Sequence, residues 1–197
     1  MSSLSTSSPL SPTASASASR LLAARDLPLQ HEWTFWHDRN DTTAADYESN
    51  LSPLHTVHTV QDFWRVFNNI PGPDRLTGRS SLHFMRQGVK PLWEDPWNQE
   101  GGCWSFRVRK EDTPKVWIEL LMLLVGEQLD CALESGDELG GVTVSCRWNS
   151  DIVQVWTKRA TKSGGSHIME EIQKVLPSTE LQSPYYKAHA AHEAYQK

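Results

Sequence analysis

Apolar and polar residues alternate along several short segments of this chain, with the period of two that is typical of β-strands. The clearest alternation runs over His31–Arg39, where Trp33 and Phe35 share one side and Trp36 is an aromatic exception on the polar side. Comparable strand patterns cover Leu54–Val60, Ser81–Arg86, Gly102–Arg109, Val142–Arg147, Ile152–Thr157 and Leu181–Ala188. The turn-forming residues 148–151 predict a hairpin between two of these strands.

Three other segments repeat apolar residues every three or four positions, as amphipathic helices do. The first of these helices is predicted to begin at a capping box formed by Thr59 and Asp62. Phe63 lies on its predicted buried face, whereas Trp64 lies about 100° away around the helix and off that face. The sequence from Pro71 onward ends the helix, because proline cannot continue it.

The second predicted helix begins at Thr113 and is apolar on two sides. Ile118, Met122 and Val125 form a stripe beside the core-facing one, so this helix is either deeply buried or covered by something else. A third helix is predicted after residues 164–166. Helices and strands without regular βαβ alternation predict the α+β class, with helices packed on one face of an antiparallel sheet.

Composition predicts one folded domain with a tail. A chain of 197 residues with 38% hydrophobic residues suits one domain with its own core. Residues 1–26 are rich in Ser, Ala, Thr and Pro and contain no aromatic residue, which predicts a disordered tail; a mitochondrial transit peptide is the alternative for the same composition. We therefore expect the domain to cover 27–189 and a flexible end to cover 190–197.

The net charge of −5 argues against a protein that coats nucleic acid, so any nucleotide site must be small and locally basic. Cys103, Cys131 and Cys146 lack paired spacing and indicate reduced thiols in a cytosolic or nuclear protein, not a disulfide framework or a zinc site. His55 and His58 lie on a strand-like segment where their rings point to opposite faces, so no metal site is predicted.

The sequence also lacks the patterns of common enzymes and membrane spans. It contains no nucleophile elbow, glycine-rich phosphate loop or zinc-protease motif, so no enzyme and no cofactor are predicted. No apolar run is long enough to cross a bilayer.

The aromatic residues near polar connections carry the candidate chemistry. The chain has nine tryptophans, and Tyr47, Trp93 and Trp156 lie in or beside polar connections, where core aromatics are least expected. Two facing rings would sandwich a nucleobase, and Glu94 would accept two N–H bonds from the Watson–Crick edge of guanine. Arg147 would bind a phosphate. The alternative is that these aromatic rings simply belong to the core.

These segments resemble the eukaryotic translation initiation factor 4E family, the messenger-RNA cap-binding proteins. The resemblance covers roughly Pro28 to His189, nearly everything outside the two ends. Its motifs are His31–Trp36, Gln61–Trp64, Gly88–Asp95, Gly101–Trp104, Leu124–Glu127, Val144–Arg147 and Val155–Trp156.

The resemblance implies a curved antiparallel sheet with three long helices on its convex face and a slot for 7-methylguanosine on its concave face. In that slot, Trp93 and Tyr47 would stack on the two sides of the base. Glu94 would accept hydrogen bonds from N1–H and N2–H, Trp156 would contact the methyl group and Arg147 would bind the phosphates. Methylation makes the base cationic, which favours both the stacking and the carboxylate.

The chain departs from the main class of the family at the slot. Tyr47 stands where the main class has tryptophan, which resembles the class II members, the 4E-homologous proteins. Ile152 and Cys103 stand where the main class has basic residues, so we expect weaker cap affinity than in a main-class member. Lys158 is a candidate replacement for the missing charge.

The resemblance also implies that a short helix of a 4G-type scaffold or a 4E-binding protein docks on the convex face. The matching positions are Pro28, Leu29, Val60, Trp64, Ile118, Glu119 and Met122. The predicted position of Trp64 away from its own core face fits a partner contact. For Ile118 and Met122, ordinary helix packing is the alternative.

The expected function is that of a monomeric, non-enzymatic module that couples capped messenger RNA to a protein partner in translation initiation or its regulation. We expect it in the cytoplasm, with the nucleus as an alternative. Two other functions stay open: an adaptor of the same fold without useful cap affinity, and a nucleotide hydrolase that uses Glu94 or Asp95.

Overall fold

A single antiparallel sheet of seven strands organises the computed structural model, which describes residues 26–39, 47–76 and 78–191. The strands are β1 (Pro28–Arg39), β2 (Leu51–Thr59), β3 (Ser80–Arg86), β4 (Gly102–Arg109), β5 (Leu139–Ser145), β6 (Ser150–Thr157) and β7 (Gln182–Ala188). Their order across the sheet is β2-β1-β3-β5-β6-β4-β7. Most of the predicted tail and most of the predicted flexible end lie outside the described residues, so the domain boundaries stay a prediction.

Among the described residues, four α-helices connect or cover the strands. They are α1 (Tyr47–Asn50), α2 (Val60–Phe67), α3 (Thr113–Val125) and α4 (Ile168–Val175). Only α3 is long, with 13 residues. None of the helices among the described residues has the length and apolar character needed to cross a membrane.

The predicted start of α2 is confirmed, whereas its predicted length is wrong. The side chain of Thr59 accepts a hydrogen bond from the Asp62 backbone N–H at 3.1 Å, as an N-cap residue does. The helix ends at Phe67 and does not continue to Ile70. Asn69 follows it, and the amide Nδ2 of Asn69 donates to the Arg65 carbonyl at 2.8 Å, which satisfies one of the free carbonyls of the last turn.

The helices pack on one face of the sheet and enclose the apolar core, which confirms the predicted architecture. Phe35 and Phe84 on neighbouring strands have ring centroids 4.5 Å apart. Phe63 of α2 stacks on Phe35 at 6.1 Å, and Trp117 of α3 is buried in the same cluster. Ridges of large apolar side chains from helix and strand thus fill this interface.

The opposite face of the sheet, called the free face below, is arranged in three cross-strand rows. Because side chains alternate along each strand, residues paired across neighbouring strands share a face. The first row is Thr34, Met85, Gly141, Trp156, Cys103 and Lys187. The second row is Trp36, His83, Thr143, Gln154, Ser105 and Tyr185. The third row is Asp38, Ser81, Ser145, Ile152, Arg107 and Gln182.

Both edge strands contain a proline where their pairing is irregular. In β2 the pairing with β1 shifts between Phe35 and Trp36, next to the position where Trp36 faces Pro53. In β7 the pairing with β4 shifts across the Ser183–Pro184 step, and Ser183 has a left-handed φ of 49°. Proline within a sheet is confined to edge strands and bulges, which agrees with its position beside these irregular steps.

Candidate nucleotide-binding site

Residues 87–101 form an irregular segment between β3 and β4 that presents Trp93 and Glu94. Its conformation is fixed by its own side chains. The fully buried Asn98 donates through Nδ2 to the Lys90 carbonyl at 2.8 Å and to the Leu92 carbonyl at 2.7 Å. Asp95 accepts a hydrogen bond from the Trp97 N–H at 2.9 Å. The segment therefore holds its shape without belonging to a helix or strand.

Trp93 and Glu94 differ in their surroundings. The half-buried Trp93 indole packs against a small apolar cluster of the free face that includes Met85, Cys103 and Trp156. The adjacent Glu94 is exposed. An anchored ring beside an accessible carboxylate is the arrangement that base stacking with edge recognition requires.

Trp156 is buried beneath this segment and its orientation is fixed by a hydrogen bond. Its indole Nε1 donates to Thr143 Oγ1 at 2.9 Å, and its ring lies 4.8 Å from the His189 ring. The structure thus brings Trp93 and Trp156 into one cluster, as expected for a single site.

The hydrogen bond to Trp156 continues into a buried polar network along the second and third rows. Thr143 Oγ1 lies 2.8 Å from His83 Nδ1, and His83 Nε2 lies 3.6 Å from Asp38 Oδ2. Asp38 Oδ1 accepts from the Ser81 N–H at 2.8 Å. All of these side chains are nearly inaccessible. Sequence analysis did not identify Asp38, His83 or Thr143, although their alternation placed them on the polar side of their strands.

The segment carrying Tyr47 is tied to the segment carrying Trp93. Lys90 Nζ and Glu48 Oε1 form an exposed ion pair at 2.9 Å, and the hydrogen bond to Glu48 raises the pKa of Lys90 above its ordinary value. Glu48 directly follows Tyr47, and Lys90 precedes Trp93 by three residues, so the two ring-bearing segments lie side by side. Tyr47 begins α1, but its side chain lies outside what the structure describes.

Arg147 lies in the turn between β5 and β6, where the sequence predicted a hairpin. Its backbone N–H donates to Asp151 at 2.9 Å, and the buried Asp151 also accepts from Thr113 at 2.8 Å and from Lys110 at 2.5 Å. The guanidinium donates only to the Cys146 carbonyl, at 2.8 Å, and has no carboxylate partner in the described part of the chain. An anion therefore need not displace an ion pair to reach it.

The substituted positions provide no positive charge. Ile152 is half-buried, and Cys103 is buried and accepts a hydrogen bond from Gln154 Nε2 at 3.3 Å. Burial raises the pKa of the Cys103 thiol, so this group is neutral at physiological pH. Lys158, the candidate replacement, pairs with Glu138 at 2.6 Å and lies over the Trp97 ring at 5.3 Å. Glu138 also pairs with Arg86 at 3.1 Å, so one carboxylate faces two cations and Lys158 is held in this network.

The predicted partner positions lie on the helix-covered side but differ in exposure. Trp64 is 38% exposed and Met122 is 39% exposed. The Trp64 ring lies edge-on to Phe63 and Phe67, at centroid distances of 5.2 and 5.9 Å, so its outer face is open. Pro28 is exposed, whereas the remaining positions are half-buried: Leu29, Val60, Ile118 and Glu119.

Sequence analysis missed one residue of this surface. Leu27 is 58% exposed and is fixed against the start of α2, because its carbonyl accepts from the Val60 N–H at 2.9 Å and its N–H donates to Gln61 Oε1 at 3.0 Å. The predicted partner positions begin at Pro28, one residue after Leu27. We define the partner surface as Leu27 together with the seven predicted positions, of which Trp64 and Met122 are the most exposed large apolar side chains.

Within residues 26–39, 47–76 and 78–191, no three or more His, Cys, Asp or Glu side chains are grouped in a way that would hold a metal ion.

Comparison with protein families finds one match over most of the chain. A family profile described as "Eukaryotic initiation factor 4E" matches residues 28–197. The chain is 37% identical over 135 residues to eukaryotic translation initiation factor 4E-1 of Oryza sativa subsp. japonica, covering 68% of this chain and 58% of that relative. It is 38% identical over 150 residues to the same factor of Hordeum vulgare subsp. vulgare, covering 75% of this chain and 66% of that relative. The match therefore spans less than two thirds of either plant protein.

Two solved structures show a similar fold. The structure of Caenorhabditis elegans initiation factor 4E-3 with the 4E-binding protein Mextli and a cap analog has a TM-score of 0.74 at 32% identity, covering 83% of this chain and 93% of that chain. The structure of Ascaris suum initiation factor 4E-3 with an m2,2,7G cap has a TM-score of 0.73 at 30% identity, covering 83% of this chain and 92% of that chain.

Proposed function

The chain belongs to the eukaryotic initiation factor 4E family, and we propose that it binds the 7-methylguanosine cap of messenger RNA and couples it to a protein partner. The observation that carries the proposal is the presentation of Trp93 and Glu94 on a segment locked by Asn98, above a buried Trp156. The cap ligands named for the two similar worm proteins support it.

Each proposed role follows from the chemistry of the methylated base. Trp93 stacks on one side of the base and Tyr47 on the other, and each such contact contributes roughly 1–3 kcal/mol. The positive charge of 7-methylguanine adds a cation–π contribution of about 0.5–2 kcal/mol. Glu94 accepts the N1–H and N2–H bonds, Trp156 contacts the methyl group and Arg147 binds the phosphates.

A titration of intrinsic tryptophan fluorescence tests the cap slot. We expect 7-methyl-GTP to quench the fluorescence saturably, and unmethylated GTP at the same salt concentration to bind much more weakly. Glu94→Gln keeps the shape of the side chain but removes its charge and one acceptor, so it should abolish most of the preference for the methylated nucleotide. Glu100→Gln, at an exposed position of the same segment, is the matched control. Equal binding of the two nucleotides would contradict the proposal.

The partner surface takes a short amphipathic helix, whose apolar side would cover Trp64, Met122 and Leu27. The 4E-binding protein in the Caenorhabditis elegans complex supports this assignment. Trp64→Ala should abolish capture of a 4E-binding peptide, whereas Leu54→Ala, at a 43% exposed position of β2, should not. Retained capture by a folded Trp64→Ala variant would exclude this surface.

An adaptor with weak cap affinity is the second candidate, because neither Ile152 nor Cys103 provides a charge and Lys158 is already paired. In that case Trp64→Ala would abolish the function and Glu94→Gln would leave it unchanged. The family consists of binding factors, so we expect no product when the protein is incubated with cap analogue and Mg²⁺; any hydrolysis would favour the enzyme alternative. The compartment proposed for this role is the cytoplasm. The class II assignment stays a prediction.

A further inference from the structure

Trp148 is an exposed aromatic side chain on an ordered turn. At 87% it is the most exposed large apolar side chain in the described part of the chain. It makes no hydrogen bond or ring contact with the other residues that the structure describes. The turn itself is held in place, because the neighbouring Arg147 N–H donates to the buried Asp151. The core thus offers no reason for a tryptophan at this position.

The turn lies at the far end of the free face from the Trp93 segment. Trp156 is in the first row and Ile152 is in the third row, four residues apart on β6, which corresponds to about 14 Å along the strand. The β5–β6 turn with Trp148 comes directly beyond the third row. An oligonucleotide that is bound at Trp93 and extends along β6 therefore reaches this turn.

Arg107 provides a positive charge along this route. It is the cross-strand partner of Ile152, and side chains paired in this way have Cβ atoms about 4.5–5.5 Å apart. Arg107 is exposed and forms no ion pair within the described residues. Two carboxylates near the turn are paired: Asp151 with Lys110, and Asp112 with Arg109. Arg107 and Arg147 are cations at this end that have no ion pair among the described residues.

We propose that the β5–β6 turn is a second nucleotide-binding site, which takes the nucleotide joined to the cap. Its base stacks on Trp148, and Arg107 joins Arg147 in binding the phosphates between this base and the cap. Stacking on an indole accepts any base, so the site tolerates different RNA sequences. The inference rests on the proposed cap slot and extends it from one nucleotide to two.

Isothermal titration at fixed salt separates the two sites. The ligands are 7-methyl-GTP and the cap dinucleotide, in which 7-methylguanosine is joined to adenosine by a triphosphate. We expect the wild type to bind the dinucleotide about tenfold more tightly than 7-methyl-GTP, which corresponds to about 1.4 kcal/mol. Trp148→Ala should remove this advantage and leave 7-methyl-GTP binding unchanged. Trp148→Phe, which keeps an aromatic face, should restore most of it.

Arg107→Gln should lower the affinity for both ligands about tenfold and reduce the dependence of binding on salt. Lys115→Gln removes the same charge from an exposed position of α3, on the helix-covered side, and should change neither affinity. Adding Ile152→Lys to the Arg107→Gln variant should restore binding, because it returns a cation to the neighbouring strand.

The outcomes distinguish the two proposals. If the wild type binds 7-methyl-GTP but Trp148→Ala changes neither ligand, the second site is wrong and the cap slot stands; a protein partner would then be the occupant of Trp148. If Trp148→Ala weakened the binding of both ligands equally, the second site would also be wrong, because the ring would then act on the cap nucleotide. If the wild type binds neither methylated ligand, the cap slot is wrong and the second site is wrong with it.

Discussion

The same strands form two faces of very different character. On the helix-covered face, Phe35, Phe63 and Trp117 are fully buried and their contacts are apolar or aromatic. On the free face, residues just as deeply buried are polar, among them His83 and Thr143. A buried apolar residue needs only a well-packed neighbour, whereas a buried polar group is costly unless it is hydrogen-bonded.

The two faces therefore respond to different kinds of substitution. The helix-covered face stabilises the fold through volume, so residues of similar size can replace one another there. The free face holds specific donors and acceptors, such as the Ser81 and Ser145 hydroxyls 3.0 Å apart and the Thr143 hydroxyl that accepts from the Trp156 indole. Substitutions that preserve shape but change chemistry should therefore act mainly on the free face.

The largest expected effect tests the apolar face. Trp117→Ala removes a side chain that is 1% exposed, and we expect the free energy of unfolding to fall by about 3–5 kcal/mol. The matched substitution Trp148→Ala removes a side chain that is 87% exposed and should change stability by less than about 0.5 kcal/mol. Urea denaturation measures both. Similar losses for the two variants would contradict the contrast in burial.

The next effect tests the polar face. Thr143→Val preserves the shape of the side chain but removes the acceptor of the Trp156 indole and the partner of His83, so we expect a loss of about 1–3 kcal/mol. The indole N–H resonance of Trp156 should shift in a ¹H–¹⁵N spectrum. Thr143→Ser keeps the hydroxyl and should leave that resonance in place. If the valine variant were as stable as the wild type with an unshifted resonance, the hydrogen bond would not orient Trp156.

A smaller effect concerns the three cysteine thiols, which differ in their exposure to solvent. Cys131 is exposed, whereas Cys103 and Cys146 are buried. Burial raises the pKa of Cys146 from 9.0 to about 11, and it also raises the pKa of Cys103. At pH 8 we expect one thiol to react promptly with a maleimide, and all three to react in urea. Rapid modification of Cys103 in the native protein would contradict its burial.

The same pKa shift predicts a pH dependence of stability. Because the folded pKa of Cys146 lies above its unfolded value, the neutral thiol stabilises the fold fully below pH 9, and this contribution is lost as the pH rises to about 11. Cys146→Ala should lack this part of the decline between those pH values. An identical decline in the two proteins would exclude Cys146 as its source.

The smallest expected effect concerns the ion pair between Lys90 and Glu48. Both side chains are exposed, so Glu48→Gln should leave the urea midpoint unchanged within error. We expect a drop of less than threefold in affinity for 7-methyl-GTP at low salt, and no difference at high salt, because salt screens exposed charges. A large loss that persists at high salt would show that this pair determines the shape of the slot.

The strand pattern was largely predictable because burial on one face leaves a period of two in the sequence. The start of β5 could not be predicted from this pattern. The residues before Val142 are Gly140 and Gly141, which are typical of a loop. Gly141 is instead required inside the strand: a Cβ atom there would lie 2.3 Å from the Phe84 carbonyl oxygen. Pro53 similarly concealed the first residues of β2, and α1 lies in a segment interpreted as a polar loop.

The candidate site was predictable where its residues conflict with their local surroundings. Trp93 and Glu94 were identified because an aromatic residue and a carboxylate lie together in a polar connection. Asp38 and His83 were not, because a polar residue on the outer side of a strand has the same pattern whether it faces water or a buried network. The cross-strand register decides between these possibilities, and a single sequence does not contain it.

The irregular edges of the sheet have a consequence for the behaviour of the protein in concentrated solution. An open sheet exposes unpaired N–H and C=O groups along both edge strands, and these groups can pair with strands of other molecules and cause aggregation. Pro53 and Pro184 interrupt such a ladder at the two edges, and the left-handed Ser183 kinks one of them. Both features therefore work against edge-to-edge pairing with other molecules.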